Sequence, residues 1–281
     1  MWTDIFRMRQ WYKNLIIFLP LFFVGLATNG KSFFLVTLGF VALCLMSSAN
    51  YILNDIADKE KDKVHPEKKY RPLASGKISM WTAGVLAAFC ATLSISLASF
   101  LSENFFYLLL LFFFLTQLYS FALKNELFVD VILISVNFVL RAVGGAYILD
   151  VRVSPWLIVC TFFLALFLAV GKRRAESILL KGKAAMHRTV LDQYTPSLTN
   201  ALMLVSTALL LLSYSLYSFL SIYPALIYTL PFSFYVVFRY YFLVESGSPI
   251  AEKLELLYTD KRLVLGIMLW IAAVSSFIYG M

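Results

Sequence analysis

Long apolar runs separated by short polar breaks organise this chain. A helix crosses the hydrocarbon core of a bilayer with about 20 mostly apolar residues, and nine runs approach that length. The pattern therefore predicts an all-α polytopic membrane protein, folded as a single transmembrane domain over residues 1–281. The nine predicted spans lie near residues 14–29, 33–57, 79–101, 104–123, 127–149, 153–174, 197–219, 222–244 and 262–280.

Composition agrees with this pattern. The chain is 61% hydrophobic and only 14% charged, which is too apolar for an ordinary soluble domain. The first run contains Pro20, lacks a small-residue cleavage site and is followed at once by another apolar run, so we interpret it as a true span and not as a signal peptide. Cys44, Cys90 and Cys160 fall inside predicted spans without metal-ligand or redox spacing, as expected for small buried apolar residues.

The distribution of lysine and arginine predicts the orientation. With nine spans, most of the 24 Lys and Arg residues lie on the side of the N-terminus, which the positive-inside rule assigns to the cytoplasm. We therefore expect a multi-pass protein of the cell (plasma) membrane with the C-terminus outside. The net charge of +8 is consistent with attraction of the protein to anionic lipid headgroups. We expect no nucleic-acid partner. Two charged cytoplasmic loops, 58–78 and 172–196, are the candidate functional loops.

The first of these loops follows a polar helix end. No Gly or Pro interrupts residues 41–65, so the second span can continue into the cytoplasm as a helix. At about 100° per residue, Tyr51, Asn54, Asp55, Asp58 and Asp62 then share one face about 100° wide. Carboxylate and amide oxygens suit Mg²⁺, which usually also binds substrate phosphates. The stretch therefore predicts a site for a magnesium diphosphate.

Basic residues come next in the chain and suit the same ligand. Lys61 and Lys68 can meet phosphate oxygens as point charges, and Arg71 can do so as a bidentate fork. Pro66 and Pro72 force the chain out of the helix and turn it. A solvated loop whose charges only set the topology is the alternative, but the ordered spacing of acids and bases favours a binding site.

The pattern Asn54-Asp55-x-x-Asp58-x-x-x-Asp62 resembles the first aspartate-rich motif of the UbiA superfamily of intramembrane prenyltransferases. That resemblance implies nine transmembrane helices around a cytoplasm-facing active-site cavity. Members usually carry a second aspartate-rich motif after span six, but here the chain reads "LAVGKRRAES" around Lys172, Arg173 and Arg174. A basic cluster cannot bind magnesium, whereas it can bind a phosphate directly.

This departure points to one branch of the superfamily. The chain resembles the decaprenyl-phosphate phosphoribosyltransferase branch from about residue 7 to the last span. The branch implies Mg²⁺-dependent transfer of 5-phosphoribose from phosphoribosyl diphosphate (PRPP) to a polyprenyl phosphate, giving 5-phosphoribosyl-1-phosphoryl polyprenol, a cell-envelope precursor. The likeness is carried by "RQWYKN" at 9–14, "HPEKKYRPLASG" at 65–76, "YSFALK" at 119–124, "VDVILISVNFVLRAVGG" at 129–145 and "SPWLIV" at 154–159.

The resemblance implies a role for each candidate residue. Asn54 and Asp58 hold Mg²⁺, while Asp55 and Asp62 are either further ligands or lie behind the ligands. The PRPP-binding residues implied are Lys13, Tyr51, Lys61, Lys68 and Arg71. The lipid-phosphate-binding residues implied are Lys124, Arg141, Lys172 and Arg173. No general base is assigned, because a lipid phosphate is already ionised at neutral pH; His65 is expected to shape its loop or bind a phosphate, and His187 to be exposed.

Arg141 has a second interpretation. A charge deep in a span costs at least ~2.5 kcal/mol on insertion scales and usually has a partner. Asp130 lies eleven residues earlier in the same predicted helix, about 20° away around its axis, so a structural Arg141–Asp130 network is the alternative to phosphate binding. Arg239 in span eight is a weaker phosphate-binding candidate.

Two other functions remain as alternatives. A conventional prenyltransferase would move a prenyl group from prenyl diphosphate to an aromatic or glycerol-phosphate acceptor, and the missing second aspartate motif counts against it. A transporter or lipid carrier would often break helices at mid-membrane, whereas the polar residues here cluster at the cytoplasmic rim. The sequence leaves open whether the chain forms a homo-oligomer.

Overall fold

The computed structural model describes residues 2–66, 68–179 and 193–280, and within these ranges the chain is helical with no β-strand. The long helices are Gly30–Ala57 (α3), Met80–Leu101 (α5), Glu103–Leu118 (α6), Val129–Ile148 (α7), Pro155–Leu179 (α8), Pro196–Leu220 (α9), Leu230–Glu245 (α10) and Lys261–Tyr279 (α12). The short helices are Trp2–Ile5 (α1), Leu19–Phe23 (α2), Lys59–Val64 (α4) and Pro249–Glu252 (α11). Segments of 3₁₀-helix occupy Met8–Phe18, Lys68–Tyr70, Pro224–Thr229 and Leu254–Thr259, and Tyr119–Leu123 is a π-helical turn.

The all-α multi-pass class is confirmed, whereas the count of nine spans is not. Eight helical segments of the described chain are long and apolar enough to cross a membrane, and they match the last eight predicted spans to within a few residues at most ends. The first predicted span, 14–29, does not form one long α-helix. Its residues lie in the 3₁₀ segment Met8–Phe18, in the short helix α2 and in the turn that follows.

Two residues explain this irregular first segment. Pro20 stands in the first turn of α2, where its missing N–H is tolerated, but it cannot continue a helix that began earlier. Gly25 adopts a positive φ of 78°, and Leu26 N–H donates to the Leu21 carbonyl at 3.0 Å across the turn. A left-handed glycine with this backbone bond is a common helix stop, so α2 ends after one turn.

Side-chain caps mark the starts of several long helices. Asn29 accepts from Ser32 N–H at the start of α3, and Ser79 accepts from Thr82 N–H at the start of α5, each at 3.0 Å. Thr195 and Asp260 play the same role for α9 and α12. Each cap satisfies a backbone donor that has no partner within its own helix.

The described chain divides into two compact units. The first runs to Lys124 and adds Asn137–Val153. Its core packs α3, α5 and α6 around residues such as Leu43, Leu109 and Phe112. Gly145 of α7 is required here, because a Cβ at this position would lie 2.0 Å from the Ile17 carbonyl oxygen.

The second unit comprises Asn125–Val136 and the described residues from Ser154 onward. Helices α8 and α9 pack along each other, with Phe167, Met203 and Tyr240 in the core. One predicted boundary is corrected here. Residues 172–179 were expected in a cytoplasmic loop, but they continue α8 as helix, so Lys172, Arg173 and Glu176 project from a helix. Residues 180–192 of that loop, which include His187, lie outside the described residues.

Candidate active site

The aspartate-rich stretch of the first unit lies on two successive helices. α3 ends at Ala57, Asp58 departs from helical geometry (φ −91°, ψ 4°), and α4 resumes at Lys59. Backbone bonds still cross the break, since Asp58 N–H donates to Asn54 C=O at 2.9 Å and Asp62 N–H donates to Asp58 C=O at 2.8 Å. The predicted helical continuation is therefore present with a single distortion at Asp58.

Asp55 and Asp62 are both engaged by arginine. Nη1 of Arg71 lies 3.1 Å from Oδ1 of Asp55 and 2.6 Å from Oδ2 of Asp62. Arg7 also donates through Nη2 to Oδ1 of Asp55. Both carboxylates are buried, at 4% and 3% exposure, where an unpaired charge would be costly. The two arginines therefore neutralise two of the three acids of the motif.

Asp58 is more accessible than the other two acids. Its side chain is 22% exposed, and Nζ of Lys124 approaches it at 3.3 Å. Lys124 follows the π-helical turn Tyr119–Leu123 at the end of α6, and such turns often occur at functional sites. Asn54, one turn before Asp58, is partly exposed. Asn54 and Asp58 thus present an amide and a carboxylate on neighbouring turns.

This arrangement limits how a metal could be held. Among the described residues, no group of three or more His, Cys, Asp or Glu side chains is placed to bind a metal ion. Mg²⁺ nevertheless needs only one or two protein carboxylates where waters and substrate phosphates complete its octahedron. Asp58 with Asn54 fits that requirement. Asp55 and Asp62 fit less well because arginine already occupies one oxygen of each.

The predicted donor-binding residues differ in their surroundings. The ring of Tyr51 lies under the Arg7 guanidinium, 4.8 Å from its centroid to Cζ. Lys61 is exposed although the adjacent Asp62 is buried. Lys13 lies 6.0 Å from the Tyr12 ring centroid. Lys68 N–H donates to Nδ1 of His65 at 3.3 Å, so His65 shapes the loop, one of the two roles expected of it.

Arg141 has partners other than the one predicted. Its Nε donates to Oδ1 of Asn14 at 2.8 Å, and Nη1 donates to the Asn137 carbonyl at 3.0 Å. The Phe112 and Phe138 ring centroids lie 4.7 and 5.0 Å from its Cζ. The alternative Arg141–Asp130 network is therefore wrong. Eleven residues at 1.5 Å rise separate two positions by about 16 Å along a helix, too far for direct contact even on a shared face.

Asp130 instead belongs to a buried cluster in the second unit. Nε of Arg173 lies 3.0 Å from its Oδ2, and the Tyr194 hydroxyl donates to its Oδ1 at 2.6 Å. Phe128 N–H donates to the same hydroxyl at 3.2 Å. Burial and the adjacent carboxylate raise the pKa of Tyr194, so it remains a hydrogen-bond donor. Arg173, 4% exposed and also paired with Glu176, is enclosed by protein.

Three further described cations of this unit, Lys172, Arg174 and Arg239, lie beside carboxylates. Arg174 forms a bidentate pair with Glu245, both distances being 3.0 Å. Arg239 donates to Asp260 at 2.6 Å, and this bond lowers the pKa of the Asp260 carboxyl. Lys172 keeps the most open side chain of the Lys172–Arg174 cluster at 48% exposure, with Glu176 4.0 Å away. It is the one of these cations most accessible to a phosphate.

Sequence reasoning missed Arg7 and Tyr194. Arg7 precedes the recognised stretch 9–14, and its left-handed backbone (φ 47°, ψ 45°) is a conformation that no Arg-containing pattern predicts. The only feature of the sequence that could have pointed to Arg7 is its positive charge, which could serve as a partner for a buried acidic motif. Tyr194 follows the charged loop, and nothing in its neighbourhood distinguishes it from an interfacial tyrosine.

These observations define the class of the protein. It is an all-helical membrane protein with an aspartate-rich helix end and paired basic residues. The chain matches the UbiA prenyltransferase family over residues 15–259 and belongs to that family. It is 30% identical to decaprenyl-phosphate phosphoribosyltransferase of Mycolicibacterium smegmatis, over 97% of this chain and 91% of the relative. It is 31% identical to the enzyme of that name from Corynebacterium glutamicum, over 98% and 86% of the two chains. The chain is a transferase.

Solved structures agree on the fold. A UbiA homolog from Archaeoglobus fulgidus bound to DMAPP and Mg²⁺ matches with a TM-score of 0.76 at 19% identity, covering 99% of each chain. The same homolog bound to GPP and Mg²⁺ matches with a TM-score of 0.75 over 98% of each chain. The fold is therefore that of this family, although the sequence has diverged far from these structures.

Proposed function

We propose that the protein transfers 5-phosphoribose from PRPP to a polyprenyl phosphate in a Mg²⁺-dependent reaction, giving 5-phosphoribosyl-1-phosphoryl polyprenol and diphosphate. The observation that carries the proposal is the contrast between two helix ends. Asn54 and Asp58 offer oxygen ligands at the end of α3, whereas α8 carries Lys172, Arg173 and Arg174. Near-full-length likeness to named phosphoribosyltransferases supports the same assignment.

Asn54 and Asp58 would hold the Mg²⁺, with Asp55 and Asp62 behind them on their arginine partners. When bound there, Mg²⁺ would supply Lewis-acid chemistry, which is the neutralisation of charge on the diphosphate leaving group. Solved family members that carry Mg²⁺ support a metal requirement.

The donor's phosphates and ribose need contacts from the chain itself. Arg71 projects toward the aspartates from the segment after Pro66, and its planar fork suits phosphate oxygens. Lys13, Lys61 and Lys68 can add point charges. The Tyr51 ring lies under Arg7 on the same helix face as Asn54 and Asp58, so we assign its hydroxyl a hydrogen bond to the donor.

The acceptor supplies its own nucleophile. A phosphate oxygen of the lipid forms the new bond to ribose C1 while the bond from C1 to the diphosphate oxygen breaks. The acceptor oxygen is already ionised, so no protein base is assigned. In the first unit, Lys124 is the candidate contact for the lipid phosphate, with Arg141 as a buried supporting charge. In the second unit, Lys172 is the accessible candidate, while Arg173 is enclosed by its carboxylate partners.

The site is proposed to face the cytoplasm, where PRPP is soluble, in the plasma membrane. This orientation places the basic helix ends on the inner side, as the positive-inside rule expects. It also gives a membrane-bound lipid and a water-soluble donor access to one protein.

A conventional prenyltransferase is the second candidate, and family membership favours it. Such an enzyme would bind prenyl diphosphate at the same aspartates and would be expected to carry acids where α8 has Lys172 and Arg173. The basic residues there count against this reading.

A donor-swap assay tests the proposal. Purified protein in detergent with Mg²⁺ is given labelled PRPP and a polyprenyl monophosphate, and separately labelled prenyl diphosphate with aromatic or glycerol-phosphate acceptors. Label that moves from PRPP into an organic-extractable, EDTA-sensitive product is the expected result. Reaction of the prenyl diphosphate alone would overturn the proposal in favour of the second candidate.

A further inference from the structure

The backbone around Arg7 is held in an unfavourable conformation. Arg7 is left-handed, with φ 47° and ψ 45°, a region that side chains with a Cβ rarely occupy. Contacts of the two residues before it help to fix it there. Ile5 is 1% exposed and packs in a cluster with Ile52 and Leu73, and Ser48 Oγ donates to the Phe6 carbonyl at 2.8 Å.

A further bond fixes the chain after Arg7. Nε1 of Trp11 donates to Oγ of Ser48 at 3.1 Å, so the same serine of α3 holds residues on either side of Arg7. A strained residue that its surroundings over-determine is typical of functional sites. The fold thus specifies where the Arg7 guanidinium lies.

That guanidinium lies between two residues of the aspartate face. It donates to Asp55 and covers the ring of Tyr51. Asp55 has a second partner in Arg71, but Arg71 is shared with Asp62 and lies closer to it. Arg7 is therefore the one cation of this cluster whose carboxylate bonds all go to Asp55.

The charges of the cluster balance because of Arg7. Asp55 is paired with Arg7, Asp58 with Lys124 and Asp62 with Arg71. Without Arg7, Asp55 would hold an excess negative charge one residue from Asn54 and three from Asp58. Held by the shared Arg71 alone, the Asp55 carboxylate is a competing oxygen ligand for any cation at Asp58.

We propose that Arg7 is a positioning residue that keeps Asp55 out of the metal's ligand set, so that Asn54 and Asp58 bind the cation and leave its remaining positions to the donor's diphosphate. This inference rests on the proposed metal and donor of the same site. It can be tested without the donor, because it concerns which protein oxygens bind a divalent cation before any substrate binds.

The test measures Mn²⁺ binding by electron paramagnetic resonance to the full-length protein in detergent, without donor. Arg7→Gly deletes the guanidinium while favouring the left-handed backbone, and Arg7→Lys retains a charge. We expect Arg7→Gly to tighten Mn²⁺ binding about tenfold, the scale on which partners of metal ligands act, and to raise KM for PRPP more than it lowers kcat. Adding Asp55→Asn to Arg7→Gly should restore Mn²⁺ affinity to within about twofold of wild type.

Arg9→Ala is the matched control, because Arg9 is an exposed cation two residues away. If Arg9→Ala tightens Mn²⁺ binding as much as Arg7→Gly does, general electrostatics explain the effect and the inference is wrong. Unchanged Mn²⁺ binding in Arg7→Gly would also overturn it. This test can be told apart from the test of the proposed function. If wild type turns over PRPP but Arg7→Gly leaves the Mn²⁺ affinity unchanged, only the inference about Arg7 is wrong. If Arg7→Gly tightens Mn²⁺ binding but wild type does not turn over PRPP, only the donor assignment is wrong.

Discussion

Nη1 of Arg71 lies 2.6 Å from Oδ2 of Asp62, which ties the loop after Pro66 back to the helix that precedes it. The same atom reaches Asp55 at 3.1 Å. One guanidinium therefore holds the loop that carries Lys68 against both the end of α3 and the short helix α4. The acids at 55 and 62 act as anchors for this loop, which leaves Asp58 as the accessible carboxylate.

Arg71→Ala should weaken both the loop and the donor site. Removal of the shared partner leaves two buried carboxylates with less compensation, which costs about 1.5–3 kcal/mol for a charged hydrogen bond. A lower melting temperature in detergent and a raised KM for PRPP are the expected measurements. Arg71→Lys keeps the charge without the fork and should recover stability more than KM. Equal recovery of both would show that geometry at Arg71 does not matter.

Asp58→Ala should abolish metal-dependent turnover. We expect a fall in kcat/KM of about 100-fold or more, on the scale of lost electrostatic stabilisation at a reacting centre. Glu60→Ala on α4, the short helix that follows Asp58, is the control, because Glu60 is exposed and pairs only with Lys63 among the described residues. The measurement is steady-state kinetics of both variants and wild type at several Mg²⁺ concentrations. Turnover by Asp58→Ala near the wild-type rate would remove Asp58 from the metal site.

Much of the fold was predictable, because long apolar runs in a bilayer leave few alternatives to helices. The acidic face on α3 and α4 was predictable for a similar reason, since helical spacing alone places Asp55, Asp58 and Asp62 together. The first span was not, because apolarity does not reveal that Pro20 and Gly25 interrupt the helix. Periodicity also says nothing about neighbours in other segments, which is why Arg7 was missed.

Arg141 shows the limit of reasoning from one helix. Its angular position suggested Asp130, but the structure gives it Asn14 and two aromatic rings. Angle on a helix identifies a face, whereas contact also requires proximity along the axis. Asn14 comes from the irregular first segment, whose path the sequence pattern did not predict.

Arg141→Ala is predicted to raise KM for the lipid phosphate more than KM for PRPP. The variant also loses the Asn14 bond and the ring contacts, so the melting temperature should fall. The kinetic ratio separates the two effects, because loss of structure alone would lower the active fraction without changing either KM. Equal KM values to wild type, with lower stability, would assign Arg141 to packing only.

Arg173 and Asp130 are predicted to act as a structural pair. Arg173→Met leaves the buried Asp130 charge short of its partner, a change that costs about 3–5 kcal/mol for a buried pair. Asp130→Asn in the same chain should recover much of the lost stability. Thermal unfolding of the two single variants and the double variant measures this coupling. Additive losses, together with a raised KM for lipid phosphate, would instead support phosphate binding by Arg173.

Gly145→Ala should disrupt the packing of α7 against the 3₁₀ segment. Its Cβ would lie 2.0 Å from the Ile17 carbonyl oxygen and 3.2 Å from a Pro20 ring carbon, so backbone must move, and overpacking of this kind costs about 1–3 kcal/mol or more. Gly84→Ala is the control, because a Cβ there meets nothing within 4 Å. Because Asn14 lies in the displaced segment and receives the Arg141 hydrogen bond, Gly145→Ala should also lower activity, while Gly84→Ala keeps both the melting temperature and the activity of wild type. A Gly145→Ala protein as stable and active as wild type would show that the irregular first segment is free to shift.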